Sequence, residues 1–589
     1  MPAITLLFLG LGAFFLAWQF YSKFLAEKIY RLDPNFVTPA HEFEDGVDFV
    51  PTRKEILMGH HFVSVAGAAP IVGPAIAMIW GWIPAFIWVV VGTIFASGAH
   101  DFGSIWISTR HRGRSIGDLT ASLISHRARV LFLIVIYLLV LMVNAVFAIV
   151  IAFLLRAYPT AVIPIFVEIP LALGLGYLFY KVKKGGILLP SIAALAIMYL
   201  LVILSGSLGW GIELPGITLF GVAADKVTAA PTWILILLAY GFISTLLPVW
   251  MLLQPRDYIN GHQLYLGLGV VFLAIIVGTV VHGDGLPVMA PAIDFTPEGA
   301  PLIVPFLFVT IACGAISGFH AVVSSGTTSK QLDKETDARH VGYLGSLGEG
   351  TLALVAILAT SAGFASFEAW QDHYASWGAA GGLGAKVSAF VDGIAYFLNT
   401  GLGISTAIGA TFAAVVVVSF AATTMDTGLR LQKYVTAEFG DMLNLPFLKI
   451  GWVASGVAVV TTGVLALWDQ EHAGLLIWPL FGTTNQILAS LALLTISVFL
   501  IRLGRSAVPA LIPMVFLMSV TSLAMLLTLK GFWLRMMDGE AAYHLFAIGV
   551  IVLVSSVFII FEAIRVLRES GTPVSVPAGG SGEDEGDDE

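Results

Sequence analysis

The chain has 589 residues, 58% of them hydrophobic and only 11% charged, with a mean hydropathy of +0.91; a water-soluble chain of this size carries about twice that charge fraction. Such a composition excludes a soluble enzyme and a nucleic-acid-binding protein, and it predicts an all-α polytopic membrane protein. The formal net charge is −9, but Gly582 to Glu589 alone contribute six acids, so the body of the chain is close to neutral.

Apolar windows of about 20 residues predict fifteen spans, at 3–22, 57–80, 83–106, 130–155, 161–180, 187–208, 232–253, 264–282, 301–324, 343–366, 404–424, 450–468, 474–500, 509–529 and 545–563. No Lys or Arg precedes the first, while Lys23, Lys28 and Arg31 follow it, so it reads as a retained helix with its N-terminus outside. Every second loop is basic: Arg110, Arg112, Arg114, Arg127 and Arg129; then Lys181, Lys183 and Lys184; Arg256; Lys330, Lys334 and Arg339; Arg430 and Lys433; Arg502 and Arg505; Arg565 and Arg568. That alternation places those loops and the C-terminus in the cytoplasm of a cell with an inner, plasma membrane. The stretch 387–400 is too short to span and too apolar for a loop, which predicts an interfacial or re-entrant piece. Beyond Ser570 the composition predicts a disordered tail. Cys313 is the single cysteine and reads as a packing residue.

Two spans are rich in small and helix-breaking residues: GHHFVSVAGAAPIVGP from Gly59 to Pro74, and CGAISGFHAVVSSGTTSKQ from Cys313 to Gln331. Both predict non-helical backbone at membrane depth, which survives only where protein or water satisfies it. Each carries a histidine with a glycine six residues later, His61 and Gly67 against His320 and Gly326, and the two spans run in opposite directions. Inverted five-helix units at 57–208 and 301–500 follow, flanked by 1–56, joined by 209–300, and trailed by 501–569 and the tail 570–589. That is the arrangement expected of a secondary carrier.

Several stretches carry a resemblance: GHHFVSVAGAAPIVGP at 59–74, SGAHDFGSIWISTRHRGRSIGDL at 97–119, LPVWMLLQPRDYIN at 247–260, IACGAISGFHAVVSSGTTSKQ at 311–331, TTMDTGLRLQKYV at 423–435 and IWPLFGTTNQILA at 477–489. In these the chain resembles the carbon starvation protein A family of peptide and pyruvate transporters. The resemblance implies a carrier of the amino acid, polyamine and organocation superfamily, LeuT-like in fold, taking pyruvate, another short carboxylate or small peptides.

Within that frame the substrate is expected at Gly67, Ala68, Pro70, Ser324, Ser325 and Gly326, with Asn485 and Gln486 on the opposing wall, because polar side chains in an apolar span are costly without partners. Ion coupling is expected at His61, His320 and Glu349, with Ser64 and Thr327 the alternative ligands for sodium in place of a proton. His60 lies about 100° around the helix from His61, so only one of the two is expected to line a cavity. Asp101 and Asp426 stand near the expected ends of their spans and read as interfacial ion pairs or gate residues; Arg256 and Asp257 read as a salt-bridged gate closing the seventh span, or as an anchor. Glu168, between Pro164 and Pro170, is either a buried structural carboxylate or a functional one. No metal or cofactor is expected: His41 and Glu42 form no HExxH, since Asp45 occupies the last position. A channel and a nutrient sensor remain as alternatives to a symporter.

Overall fold

A computed structural model describes all residues except 1, 47, 180–187, 217–229, 282–285, 378–381, 469–472, 541 and 570–589. The basic stretch at Lys181, Lys183 and Lys184 and the acidic tail therefore lie outside the described residues. The helices are α1 (Ala3–Tyr30), α2 (Lys54–Val65), α3 (Ala69–Trp80), α4 (Trp82–Arg110), α5 (Ile116–Leu123), α6 (His126–Ala157), α7 (Pro159–Tyr177), α8 (Leu188–Leu208), α9 (Ala230–Leu246) and α10 (Leu253–Val281). They continue with α11 (Ile303–Thr310), α12 (Gly318–Gly326), α13 (Arg339–Ala362), α14 (Phe367–His373), α15 (Gly382–Leu402), α16 (Thr406–Met442), α17 (Gly451–Leu467), α18 (Ala473–Arg502), α19 (Val508–Met537) and α20 (Tyr543–Glu569).

Eleven helices are long and apolar enough to cross a membrane, and the bent pair α2/α3 makes a twelfth. The shorter apolar helices α9 and α17 and the pair α11/α12 stand where the remaining three of the fifteen expected spans fall. Serine caps set where the longest begin: Ser125 Oγ accepts from Ala128 N–H ahead of α6, and Ser405 Oγ from Ile408 N–H ahead of α16.

Both expected breaks are present. At the first, α2 ends at Val65, the chain bends by 47°, and Pro70 falls in the first turn of α3, where its missing N–H costs nothing. The second differs from expectation: α12 is helical through Ser324, Ser325 and Gly326, and the unwound segment is 311–317, ahead of His320. Gly314 there has φ +89°, a conformation that side chains disfavour. His61 thus precedes its break and His320 follows one, so the shared His-to-Gly spacing does not mark equivalent positions. The breaks nonetheless touch, since a Cβ on Gly314 would lie 3.3 Å from Pro70 Cβ and one on Gly73 would lie 2.5 Å from Thr310 O.

Two further expectations are corrected. The chain turns at 247–252, so Arg256 and Asp257 open α10 and do not close the preceding span. Asp426 lies deep within the 37-residue α16, well away from either end.

The stretch 387–400 forms most of α15, a 21-residue helix that is not among those long and apolar enough to cross. Its start packs on Phe153 near the end of α6, Asp392 accepts from Tyr158 OH at 2.9 Å, Gly393 meets Ala359 near the end of α13, and Gly401 meets Ala274 in the last third of α10. Those helix ends share the face that carries the N-terminus, so α15 lies along that face over α3. On the opposite, basic face the linkers into α2 and out of α12 are strapped together: Thr52 N–H donates to Gln331 O at 3.0 Å, and Glu335 receives Arg110 at 2.5 and 2.7 Å and Asp33 N–H at 2.6 Å. Burial pushes the Glu335 carboxyl up, and the Arg110 and Asp33 hydrogen bonds only partly draw it back.

Candidate functional site

Unwound backbone inside a membrane protein must find partners for its polar groups, and the second break finds them in side chains. Trp88 Nε1 donates to Ile311 O at 3.3 Å and Thr93 Oγ1 to Gly314 O at 2.9 Å, while Gly314 N–H donates to Glu349 Oε1 at 3.1 Å. Gln486 Nε2 donates to Phe308 O at 2.7 Å, and Asn485 Oδ1 accepts from Phe319 N–H at 3.0 Å while its Nδ2 reaches Ser317 Oγ and Cys313 Sγ. Asn485 and Gln486 are therefore committed to the two sides of the break. Asn485, expected on the cavity wall, is taken up by the freed backbone, whereas Gln486 Oε1 stays buried without a partner among the described residues.

Beside this break lies a fully buried charged cluster. His320, in the first turn of α12, places Nδ1 2.8 Å from Asp101 Oδ2, and its Nε2 is 3.3 Å from Glu349 Oε1, at ion-pair distance though not aligned as a hydrogen bond. Asp101 also accepts from Ser346 Oγ at 2.6 Å, and His100 Nδ1 is 2.7 Å from its other oxygen. The interfacial reading of Asp101 is thereby corrected, since its side chain is 0% exposed. With both carboxylates ionised and one histidine protonated, the cluster keeps a net negative charge in a site with no water contact. Because buried uncompensated charge is expensive, a further proton or a cation has a place there.

His61 is close by. Its Nδ1 lies 2.9 Å from Thr328 Oγ1, and its ring faces Gly345, the neighbour of Ser346 on α13. Ser64 Oγ and Ser324 Oγ have no hydrogen-bond partner, whereas Thr327 Oγ1 donates back to Val323 O within its own helix.

A second buried cluster joins α7, α9, α10 and α16. Arg256 Nε donates to Glu168 Oε1 at 2.8 Å and its NH1 to Asp426 Oδ2 at 2.8 Å, with Tyr240 OH donating to Asp426 Oδ2 at 2.7 Å and Ser419 Oγ to Glu168 Oε2 at 2.9 Å. Asp257 does not pair with Arg256; its Oδ2 lies 2.6 Å from His60 Nδ1. A sequence signal for this cluster existed, because Glu168 and Arg256 are each unaffordable alone in an apolar span.

A cavity of about 360 Å³ opens on the basic face, where Lys330, Glu438 and Asp441 line it, and runs in to Ser325, Gly326, Thr327 and His60. A second cavity of about 270 Å³ also reaches His60. Of the adjacent pair it is therefore His60 that meets a cavity. Gly67, Ala68 and Pro70 lie beyond that cavity's lining at the first break, where a Cβ on Gly67 would fall 2.6 Å from the Phe147 ring and 2.8 Å from Thr424 Oγ1.

The model of the carbon starvation protein CstA family matches residues 2–370 and 365–524. The peptide transporter CstA of Campylobacter jejuni is 31% identical over 579 residues, covering 88% of this chain and 79% of that protein. The peptide transporter CstA of Escherichia coli is 30% identical over 589 residues, covering 91% and 81%. The pyruvate/proton symporter BtsT of Escherichia coli is 30% identical over 610 residues, covering 89% and 81%. Among solved structures, that of MhsT in complex with L-phenylalanine covers 87% of this chain and 99% of its own at 12% identity and a TM-score of 0.48.

Proposed function

Because the chain belongs to the carbon starvation protein CstA family, we propose that this multi-pass membrane protein is a proton-coupled symporter of pyruvate, another short carboxylate or small peptides. It is a transporter and not an enzyme. The names of its relatives support the substrate class and, through the pyruvate/proton symporter, the ion. The single observation that carries the mechanism is His320 held between Asp101 and Glu349 at the second break. His320 is hydrogen-bonded to Asp101 through Nδ1 and stands at ion-pair distance from Glu349 through Nε2, so a proton on its ring is stabilised by both carboxylates where the broken helix is anchored. Losing that proton leaves two buried carboxylates facing a neutral ring, which biases the break towards another arrangement. Binding and proton occupancy are then coupled through one mobile element.

The substrate carboxylate sits at the N-terminus of α3, beside Gly67 and Pro70, with Ala68 and Ala69 N–H as its donors, since Pro70 has no N–H and Gly67 N–H is bound to Val65 O. Helix N-termini attract anions through their unpaired N–H groups, and the corresponding end of α12 is already occupied by Asn485. The cavity ending at Ser325, Gly326 and Thr327 is the release path, while α15 covers the opposite side. Support for paired five-helix units comes from the crossing of the breaks, and from the packing of α10 on α2, matched by that of α18 on α12. The protein resides in the inner membrane with its basic face in the cytoplasm and its N-terminus outside.

Uptake into proteoliposomes tests this reading, with labelled pyruvate and a dipeptide offered in parallel under an imposed pH or sodium gradient. Accumulation driven by the pH gradient alone supports it. Accumulation that requires sodium moves the coupling to hydroxyl ligands such as Ser64 and Ser324, and downhill flux without saturation supports a channel.

A further inference from the structure

Under α15, on the face opposite the cavity, two buried side-chain nitrogens have no hydrogen-bond partner among the described residues. Lys386 is 1% exposed and its Nζ has no hydrogen-bond partner; His373 Nε2, at the end of α14, is likewise buried and unpartnered. Among the described residues Lys386 enters no ion pair: Glu368 and Asp372 on α14 are exposed, and Asp392 is held by Tyr158. The Lys386 amine instead lies 5.1 Å from the Trp377 ring centre and 5.7 Å from that of Tyr374. Both rings are fixed in place. Tyr374 OH donates to Ala75 O at 2.8 Å, Trp377 N–H donates to Glu298 O at 2.8 Å, and the Trp377 ring packs on Trp80 with centres 5.5 Å apart. Ala75 and Trp80 belong to α3, so the pair of donors stands over the outer half of the first broken helix.

Cation–π contacts contribute roughly 0.5 to 2 kcal/mol, whereas removing an ammonium from water costs several kcal/mol. The rings alone therefore do not balance Lys386. The His373 ring centre lies 4.9 Å from the Tyr374 ring centre and the Lys386 amine 5.7 Å from that same centre, so the two groups flank one side chain. Two unpartnered nitrogens flanking one ring, with no carboxylate paired to either among the described residues, lack a small anion.

We propose that Lys386 and His373 form an entry site for the carboxylate of the transported metabolite, occupied when α15 lifts and before the substrate reaches the break. A small monocarboxylate fits it, with one oxygen on Lys386 Nζ, the other on His373 Nε2 and its plane against Trp377. The site rests on the reading of the chain as a carrier of small carboxylates, and it names the residues that first hold the charge.

The test uses the purified full chain, with pyruvate and its uncharged amide as probes. Thermal unfolding in detergent reports binding, and initial uptake rates in proteoliposomes report KM and kcat. Pyruvate, and not the amide, is expected to raise the unfolding midpoint; Lys386→Met removes most of that shift and raises KM about tenfold or more, with the larger share of the effect in KM, while Lys386→Arg retains both. His373→Leu, which raises KM about threefold, provides a second reading should Lys386→Met not fold. An absent pyruvate shift in the unsubstituted protein, an unchanged KM in Lys386→Met or His373→Leu, or a loss confined to kcat overturns the site. A Lys386-dependent shift without uptake upholds the site and removes the carrier reading; normal uptake with an unchanged KM does the reverse.

Discussion

His320 and Asp101, 219 residues apart, meet at 2.8 Å with both side chains fully buried, so that the first turn after one helix break is tied to the middle of α4. On the proposed reading, a contact of this kind places proton chemistry directly on the element that moves in alternating access.

Replacing His320 by Gln keeps hydrogen bonding but cannot carry a proton at neutral pH. Uptake of the His320→Gln variant is expected to lose its response to an imposed pH gradient, with any residual flux only downhill. Asp101→Asn should do the same, and uptake measured at two external pH values checks both.

Asn485→Ala removes the cap on α12 and strands Phe319 N–H and Ser317 Oγ in a buried site. Unsatisfied buried groups cost about 1 to 3 kcal/mol each, so the unfolding midpoint in detergent is expected to fall while the protein still inserts. An unchanged midpoint contradicts the capping role.

Arg256→Met leaves Glu168 and Asp426 buried without their shared cation. Breaking such a pair costs about 3 to 5 kcal/mol, and poor yield of folded protein is expected from size-exclusion profiles of detergent extracts. Combining Arg256→Met with Glu168→Gln and Asp426→Asn should restore much of the loss, because no orphaned charge remains.

Cysteine at Gly326, where a Cβ meets only Leu431 at 3.3 Å, should label with a membrane-impermeant maleimide from the cytoplasmic side. The native Cys313 is buried and gives little background. Labelling from the outside of right-side-out vesicles contradicts the assigned cavity and orientation.

Much of this arrangement was legible in the sequence because membrane physics is restrictive. Hydropathy and the spacing of Lys and Arg predict fifteen spans, of which eleven, or twelve with the bent pair, are helices long and apolar enough to cross; Pro70 and the glycines around 314 predict the two breaks; 387–400, expected as a short piece, belongs to a 21-residue helix. His320 and Glu349, expected to act together, are brought together. What failed were statements about partners. Asp101 was assigned to an interface because window hydropathy stops near it, whereas α4 continues to Arg110 and buries it. Nothing in the sequence shows which freed carbonyls and amides Asn485 and Gln486 serve. Adjacency suggested that Arg256 pairs with Asp257; side chains one residue apart on a helix diverge, and each finds its partner on another helix instead.

Proton movement accompanying transport is the most direct measurement of the central assignment. In lightly buffered proteoliposomes containing a pH-sensitive dye, adding external pyruvate or a dipeptide to the unsubstituted protein should acidify the lumen as substrate enters. The His320→Gln variant should show no substrate-dependent change. Substrate entry without acidification, or acidification that persists undiminished in His320→Gln, would contradict the assignment of His320, Asp101 and Glu349 as the coupling site.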